Sequence, residues 1–345
     1  MFSLIILECM IKLRAERSVT SIYHLIIGKR SSQTLQDVYL YKLTSYFGIL
    51  KSLNRKEFDT HIEELVTEGL FSIDNDGLAT ISSKGRSYYE RNQEDFQLKD
   101  FNGLNYDRIS ENFQLRMQLL IQTITNRKLN NSTFIAITDN KQVQQWVKQT
   151  YFIHRNQLEH LLSGLYNELL LFLNGLTDKE ASLFVHRLTG YEKIGLSKNQ
   201  LAIKYDMTKT DVELNLVLIN HKLLNDLLQD NSTYNYLSIF LKGLNDTYFI
   251  TDTAAQTYQL LIRGYSIDQI SKNRRLKVST IEDHVVEIAY IDDKFSIRPF
   301  LSEHEEKEIV VAVETVNSKR LKKIKTSLND KYSYFQIRLV LAINR

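Results

Sequence analysis

The sequence predicts a mainly α-helical protein, with an N-terminal winged helix, a helical connector and two further helix-turn-helix domains. Three observations carry this prediction. One proline and twelve glycines in 345 residues are too few for a loop-rich or β-rich chain, because turns and hairpins use both residues heavily. Two short alternating segments flank Asp76-Gly77 directly after three helical stretches, which is the order of a winged helix. Two later stretches, turning at Asp206-Met207-Thr208 and at Arg274-Arg275-Leu276, run cap, helix, turn, helix.

The first residues, MFSLIILECMIKLRAER, lack a basic leader, Glu8 interrupts the apolar run, and no small-residue cleavage site follows. They predict an amphipathic helix packed on the first domain. No stretch reaches the roughly 18 to 20 apolar residues of a membrane span. The single cysteine, Cys9, can form neither an internal disulfide nor a cysteine-based zinc site, which fits a reducing compartment. The expectation is a cytoplasmic protein.

Residues 18–92 carry the winged-helix order. SVTSIYHLIIG places Val19, Ile22, Leu25 and Ile26 at helical spacing, and QTLQDVYLYKLTSYFGIL is expected to continue as a second helix. Asn54 is placed to cap a third, on which Phe58, Ile62, Leu65 and Val66 share one face and which Gly69 closes. FSI and LATI are then the strands of a hairpin, and Lys84-Gly85-Arg86 completes the wing.

Residues 93–175 hold amphipathic helices joined by NNSTFIAITDN, which suits a short strand or a loop, and they read as a connector without recognisable chemistry. In residues 176–248, Thr177 with Glu180 forms a capping box, and Ser197 caps the first helix of the turn at Asp206. That pattern resembles the helix-turn-helix of bacterial sigma-factor region four. Residues 249–345 hold the last motif, in which Gly264-Tyr265-Ser266 opens one helix and Ser279-Thr280-Ile281 the next. No repeat of 20 to 50 residues at a fixed period is apparent.

The last hundred residues closely resemble the helix-turn-helix domain at the C-termini of many RecQ-family helicases. The likeness rests on Thr257, Leu260, Gly264-Tyr265-Ser266, Ile270, Arg274-Arg275-Leu276, Ser279-Thr280-Ile281 and His284, then on Leu321 to Lys325, Ser333-Tyr334 and Ile337-Arg338-Leu339. Upstream, Tyr23 to Lys29, Gln33 to Asp37 and Leu119 to Ile124 look like the Firmicute YpbB family. That family carries the domain without a helicase motor and is encoded beside a RecQ-like helicase. The resemblance implies an accessory protein of a helicase in DNA repair or recombination, with no catalytic residues to carry over. The expected domains are 1–92, winged helix; 93–175, connector; 176–248, sigma-region-four-like; and 249–345, RecQ-C-terminal-type. Against response-regulator motifs, Ile270-Ser271 replaces the usual Ile-Ala pair and the turn leucine comes two residues late, at Leu276. The first helix is therefore expected to end differently, or the turn to carry extra residues.

Charge decides what such motifs can bind. A net charge of +3 and a pI of about 8.6 permit DNA binding without indicating it. The helix expected in the groove leaves Glu282, Asp283, His284 and Glu287 once Ile281, Val285 and Ile288 turn inward. These acids oppose the counterion release that drives non-specific affinity. The third helix of the winged helix is equally acidic, and Lys209 in the middle motif is opposed by Asp211 and Glu213. Basic residues gather elsewhere: Arg274, Arg275 and Lys277 in the last turn, and Lys319, Arg320, Lys322, Lys323 and Lys325 around a buried stripe of Leu321, Ile324 and Leu328. Lys84 and Arg86 of the wing are a further candidate. These ten residues are the candidate contacts to DNA backbone, and a solvated basic face is the alternative for the 319–325 group.

Enzyme motifs are missing. Gly28-Lys29-Arg30-Ser31 fails as a phosphate loop, since Tyr23 stands where its first glycine belongs. His154 and His160 have no carboxylate at ligand spacing. The expectation is a non-enzymatic adaptor without cofactor or metal, partnered by a RecQ-family helicase and by DNA without sequence choice. A sequence-specific transcription regulator and a purely protein-binding scaffold are the rivals.

Overall fold

The computed structural model describes residues 1–93, 98–229, 233–244 and 250–344, and among these described residues the fold is helical apart from loops and one two-stranded hairpin. It divides into two units. A middle unit comprises Gln97–Thr247 with Met1–Phe2, and a composite unit joins Ser3–Phe96 to Tyr248–Arg345. The first and last expected segments therefore share one unit, and the two central segments share the other.

The N-terminal half of the composite unit begins with α1 (Phe2–Leu13), α2 (Val19–Ile26), α3 (Ser32–Leu40) and α4 (Arg55–Thr67). The expected N-terminal helix is present, and Leu4, Ile5, Ile6, Leu7, Cys9, Met10 and Leu13 are all buried, so α1 is covered on more than the one face an amphipathic helix would bury. The second helix is shorter than predicted. It stops at Leu40 because Lys42 turns left-handed (φ 54°) and the Leu43 N–H closes back on the Val38 carbonyl at 2.8 Å.

Asn54 caps α4 as expected, accepting the Glu57 N–H at 2.9 Å. The hairpin follows, β1 (Phe71–Ile73) against β2 (Ala79–Ile81), with Phe71 opposite Ile81 and Gly77 at φ 75° in the turn. α5 (Ser83–Asn92) then crosses the hairpin so tightly that a Cβ on Gly85 would sit 2.0 Å from the Leu70 carbonyl oxygen.

The middle unit contains α6 (Gly103–Tyr106), α7 (Ser110–Lys128), α8 (Lys141–His154), α9 (Leu158–Asn174), α10 (Asp178–Arg187), α11 (Lys198–Tyr205) and α12 (Lys209–Gln229). Phe113, Leu120 and Ile124 of α7 meet Val143, Leu161, Ile219 and Leu223 in one core. His221 lies inside it, its Nδ1 accepting the Asn102 N–H at 3.1 Å between the rings of Phe101 and Tyr106.

Burial pushes the His221 pKa down to about 3. The folded value lies below the unfolded one of about 6.5, so the stabilisation is complete above that pH and is lost as pH falls towards 3. At pH 5 the loss is roughly 2 kcal/mol. Thermal melts from pH 7 to 5 should fall more steeply for the native protein than for His221→Gln; equal slopes would contradict this.

The C-terminal half of the composite unit contains α13 (Asp252–Ile262), α14 (Ile267–Arg274), α15 (Val278–Ile291), α16 (Glu303–Val316), α17 (Leu321–Ser327) and α18 (Tyr334–Ile343). The two helix-turn-helix motifs repeat each other at a constant offset of 69 residues. Ser197 and Ser266 form capping boxes with Gln200 and Gln269, and α11 and α14 each run for eight residues. Asp206 and Arg275 are both left-handed, at φ 49° and 53°. The Met207 and Leu276 N–H groups close on Ala202 and Ser271 at 3.0 and 3.1 Å. The turn after α14 holds three residues and none extra, so the late leucine is the residue that follows the left-handed position.

Candidate nucleic-acid interface

A helix-turn-helix reads DNA with the outward stripe of its second helix, so the exposure of that stripe comes first. On α15, Ile281, Val285 and Ile288 face the motif's own core. The opposite stripe is Ser279, Asp283, Val286 and Tyr290. Only Ser279 of these is freely exposed, while Val286 and Tyr290 are 2% and 1% accessible.

The covering comes from distant sequence. α15 packs against α3 and α18 as well as α13 and α14. Tyr39 of α3 stacks on Tyr290 with ring centroids 4.8 Å apart. Arg338 of α18 donates to Asp283 at 2.6 Å and to Gln36 at 3.1 Å, and it also reaches the Ser32 hydroxyl, which donates to Asp283 at 3.1 Å.

The acids of α15 are thus not the groove-facing set expected. Glu287 accepts the Thr251 N–H at 2.5 Å and its hydroxyl at 3.1 Å, holding the start of α13. His284 is buried beside the Thr257 hydroxyl (2.9 Å) and the Arg274 guanidinium, and burial followed by that positive charge holds its pKa down. Only Glu282 stays half-exposed without a hydrogen-bonded partner among the described residues. α12, the equivalent helix of the middle motif, is buried from Val212 to Leu227 on most positions. α4 keeps an exposed face, but Glu57, Glu63 and Glu64, with Glu68 just past its end, make it acidic.

The ten candidate cations separate into two sets. Arg274 is tied into the fold: it donates to the Thr253 carbonyl (2.6 Å) and hydroxyl (2.9 Å), to Gln256 (3.1 Å) and to the Thr257 hydroxyl. That leaves little of the guanidinium to offer a phosphate. Lys319 and Arg320 precede α17 instead of lying on its exposed arc. The Lys319 ammonium donates to the Leu40 carbonyl and lies 5.5 Å over the Tyr41 ring, and Arg320 donates to the Ala15 carbonyl at 2.6 Å. Burial, then the nearby Lys42 and Arg14, lowers the Lys319 pKa.

Lys325 pairs with Asp330 at 2.8 Å, and Lys84 donates to the Glu68 carbonyl at 2.6 Å. Lys84 and Arg86 lie in the first turn of α5, not in the wing, whose tip carries Asp74 and Asp76. Arg275, Lys277, Lys322, Lys323 and Arg86 remain exposed, their side chains without a partner among the described residues. Lys272, which charge clustering passed over, is exposed on α14 one turn before Arg275 and is readable as an i, i+3 neighbour.

At the start of α15 no side chain caps the helix, since Lys277 at the N-cap position has no acceptor group. Free N–H groups beside Arg275 and Lys277 form a surface suited to a phosphate. Among the described residues no three His, Cys, Asp or Glu side chains converge to hold a metal ion, and no helix is long and apolar enough to cross a membrane.

Residues 253–341 match the family model described as a helix-turn-helix domain. Over 342 residues the chain is 27% identical to Protein YpbB of Bacillus subtilis (strain 168), covering 99% of this chain and 96% of that protein. No solved structure matches.

Proposed function

We propose that this homologue of YpbB, with its C-terminal helix-turn-helix domain, is a non-enzymatic adaptor of a RecQ-family helicase in DNA repair or recombination, and that it touches DNA backbone weakly and without sequence choice. The observation that carries the DNA half of this reading is the covered stripe of α15. Of the four groove-facing residues, Val286 and Tyr290 are buried against neighbouring helices and Asp283 is paired with Arg338, which leaves Ser279 as the free side chain of that stripe. The cations that remain outside are Arg275 and Lys277 at the turn, and Lys322 and Lys323 on α17. Such groups contact phosphates, which gives affinity and steep salt dependence but no sequence information. The helicase partner rests on the family resemblance.

The two halves are tested separately. An affinity pull-down from native lysate, with and without nuclease, should retain a helicase after the DNA is digested; its absence from both samples contradicts the adaptor reading. For DNA, four phosphate contacts predict a roughly 100-fold loss of affinity between 50 and 200 mM salt. The double variant Lys322→Glu, Lys323→Glu should bind about tenfold more weakly, with a salt slope shallower by about 2. Unchanged binding by this variant removes α17 from the contact.

A further inference from the structure

We propose that residues 134–137 of the middle unit form a strand edge through which two copies of this chain pair antiparallel about Ala136. Gln122 is a buried residue on α7. Its side-chain amide grips the loop after α7 twice: Nε2 donates to the Ile135 carbonyl at 2.9 Å, and Oε1 accepts the Ile137 N–H at 3.1 Å. A carbonyl and an N–H two residues apart, both turned to one side, are what a strand presents to a parallel neighbour. The Gln122 amide stands in for that neighbour.

Two consequences follow from strand alternation. Side chains alternate, and Ala136 packs towards the middle unit's core while Ile135 is 90% exposed and Ile137 37%. In an extended segment backbone groups alternate too, and with the Ile135 carbonyl and Ile137 N–H held by Gln122 that alternation turns the N–H and carbonyl of Ala136 to the other side. Among the described residues nothing takes either one. An open edge therefore lies beside two outward isoleucines in STFIAIT, a stretch rich in strand-forming residues.

The occupant that this edge fits is itself. In an antiparallel ladder, a hydrogen-bonded residue pair exchanges both N–H···O bonds. Ala136 has both groups free, so a twofold axis beside it lets two copies satisfy each other. In that register Ile135 of each copy lies across from Ile137 of the other, covering apolar surface that is now in water. Charge permits the pairing: Leu129 to Thr138 is uncharged, and Asp139 falls opposite Thr133, so no like charges meet. The contact is small against the ~1,200 Å² of a standard stable interface, so the dimer is weak and reversible.

Sedimentation equilibrium of the full chain from about 10 µM to about 1 mM tests this. The native protein should move from monomer towards dimer mass across that range. Ala136→Pro removes the edge N–H while leaving the Ile135 and Ile137 bonds to Gln122 in place, and it should remain monomeric. Ile135→Lys, at a side chain almost wholly in solvent, should also remain monomeric with an unchanged melt, and it decides the matter if Ala136→Pro does not fold. A native protein that stays monomeric throughout overturns the proposal and leaves the edge to an extended segment of another protein. A dimer that survives Ile135→Lys overturns it as well.

Discussion

Val286→Asp is expected to unfold the composite unit. In a conventional reader Val286 would face the groove, and an acid there would weaken DNA binding while leaving the fold alone. Here Val286 is 2% accessible in a helix wrapped by α3, α13, α14 and α18. An unpaired carboxylate at that position costs on the order of 4 kcal/mol or more, a large share of the stability of a small unit. The outcome is readable unit by unit. The lone tryptophan, Trp146, lies in the middle unit, so its fluorescence reports that unit while far-UV circular dichroism reports both. Loss of helical signal with the Trp146 transition retained is the expected result. A variant that melts like the native protein would show that the stripe is open.

The adjacent arginines should respond in opposite ways. Arg274→Gln withdraws donors from the Thr253 carbonyl, Gln256 and the Thr257 hydroxyl, leaving the buried Thr257 hydroxyl with His284 as its one partner among the described side chains. Destabilisation of about 2 to 3 kcal/mol is expected, read from denaturant midpoints. Arg275→Gln should change stability by no more than about 0.5 kcal/mol, since the side chain is exposed and only its left-handed backbone matters to the turn. DNA affinity should follow the reverse order once both proteins are compared below their melting transitions. Equal stability losses would contradict the separation of a structural from a surface arginine.

Local features of the fold were legible in the sequence because their causes are local. Asn54, Ser197 and Ser266 announce helix starts through their own side chains, and Gly69 and Gly77 announce turns through positive φ. The matching turns at Asp206 and Arg275 were also within reach, through Gly-x-Ser followed by glutamine three residues after the serine, at a spacing longer than the repeat periods usually sought.

The partners of each element were not legible. Ser32, Asp283 and Arg338 meet in one hydrogen-bonded cluster although some 300 residues of chain separate the first from the last. Hydrophobic spacing identifies an inward face but not a second inward face, so α15 reads as half-exposed although Val286 and Tyr290 on its second stripe are buried too. Charge clustering fails for the same reason. It counts Lys319 and Lys322 alike, whereas the first is committed to the Leu40 carbonyl and the Tyr41 ring and the second stands in solvent.

The most direct test of a covered reading helix is selection of bound duplexes from a random pool at physiological salt, followed by affinities for the best selected and for scrambled duplexes. With the α15 stripe closed, no consensus should emerge, and the two affinities should agree within a few-fold at every salt concentration. A defined consensus bound at nanomolar affinity, with a preference of about 1,000-fold or more over scrambled DNA, would contradict the closed stripe and restore α15 to the groove.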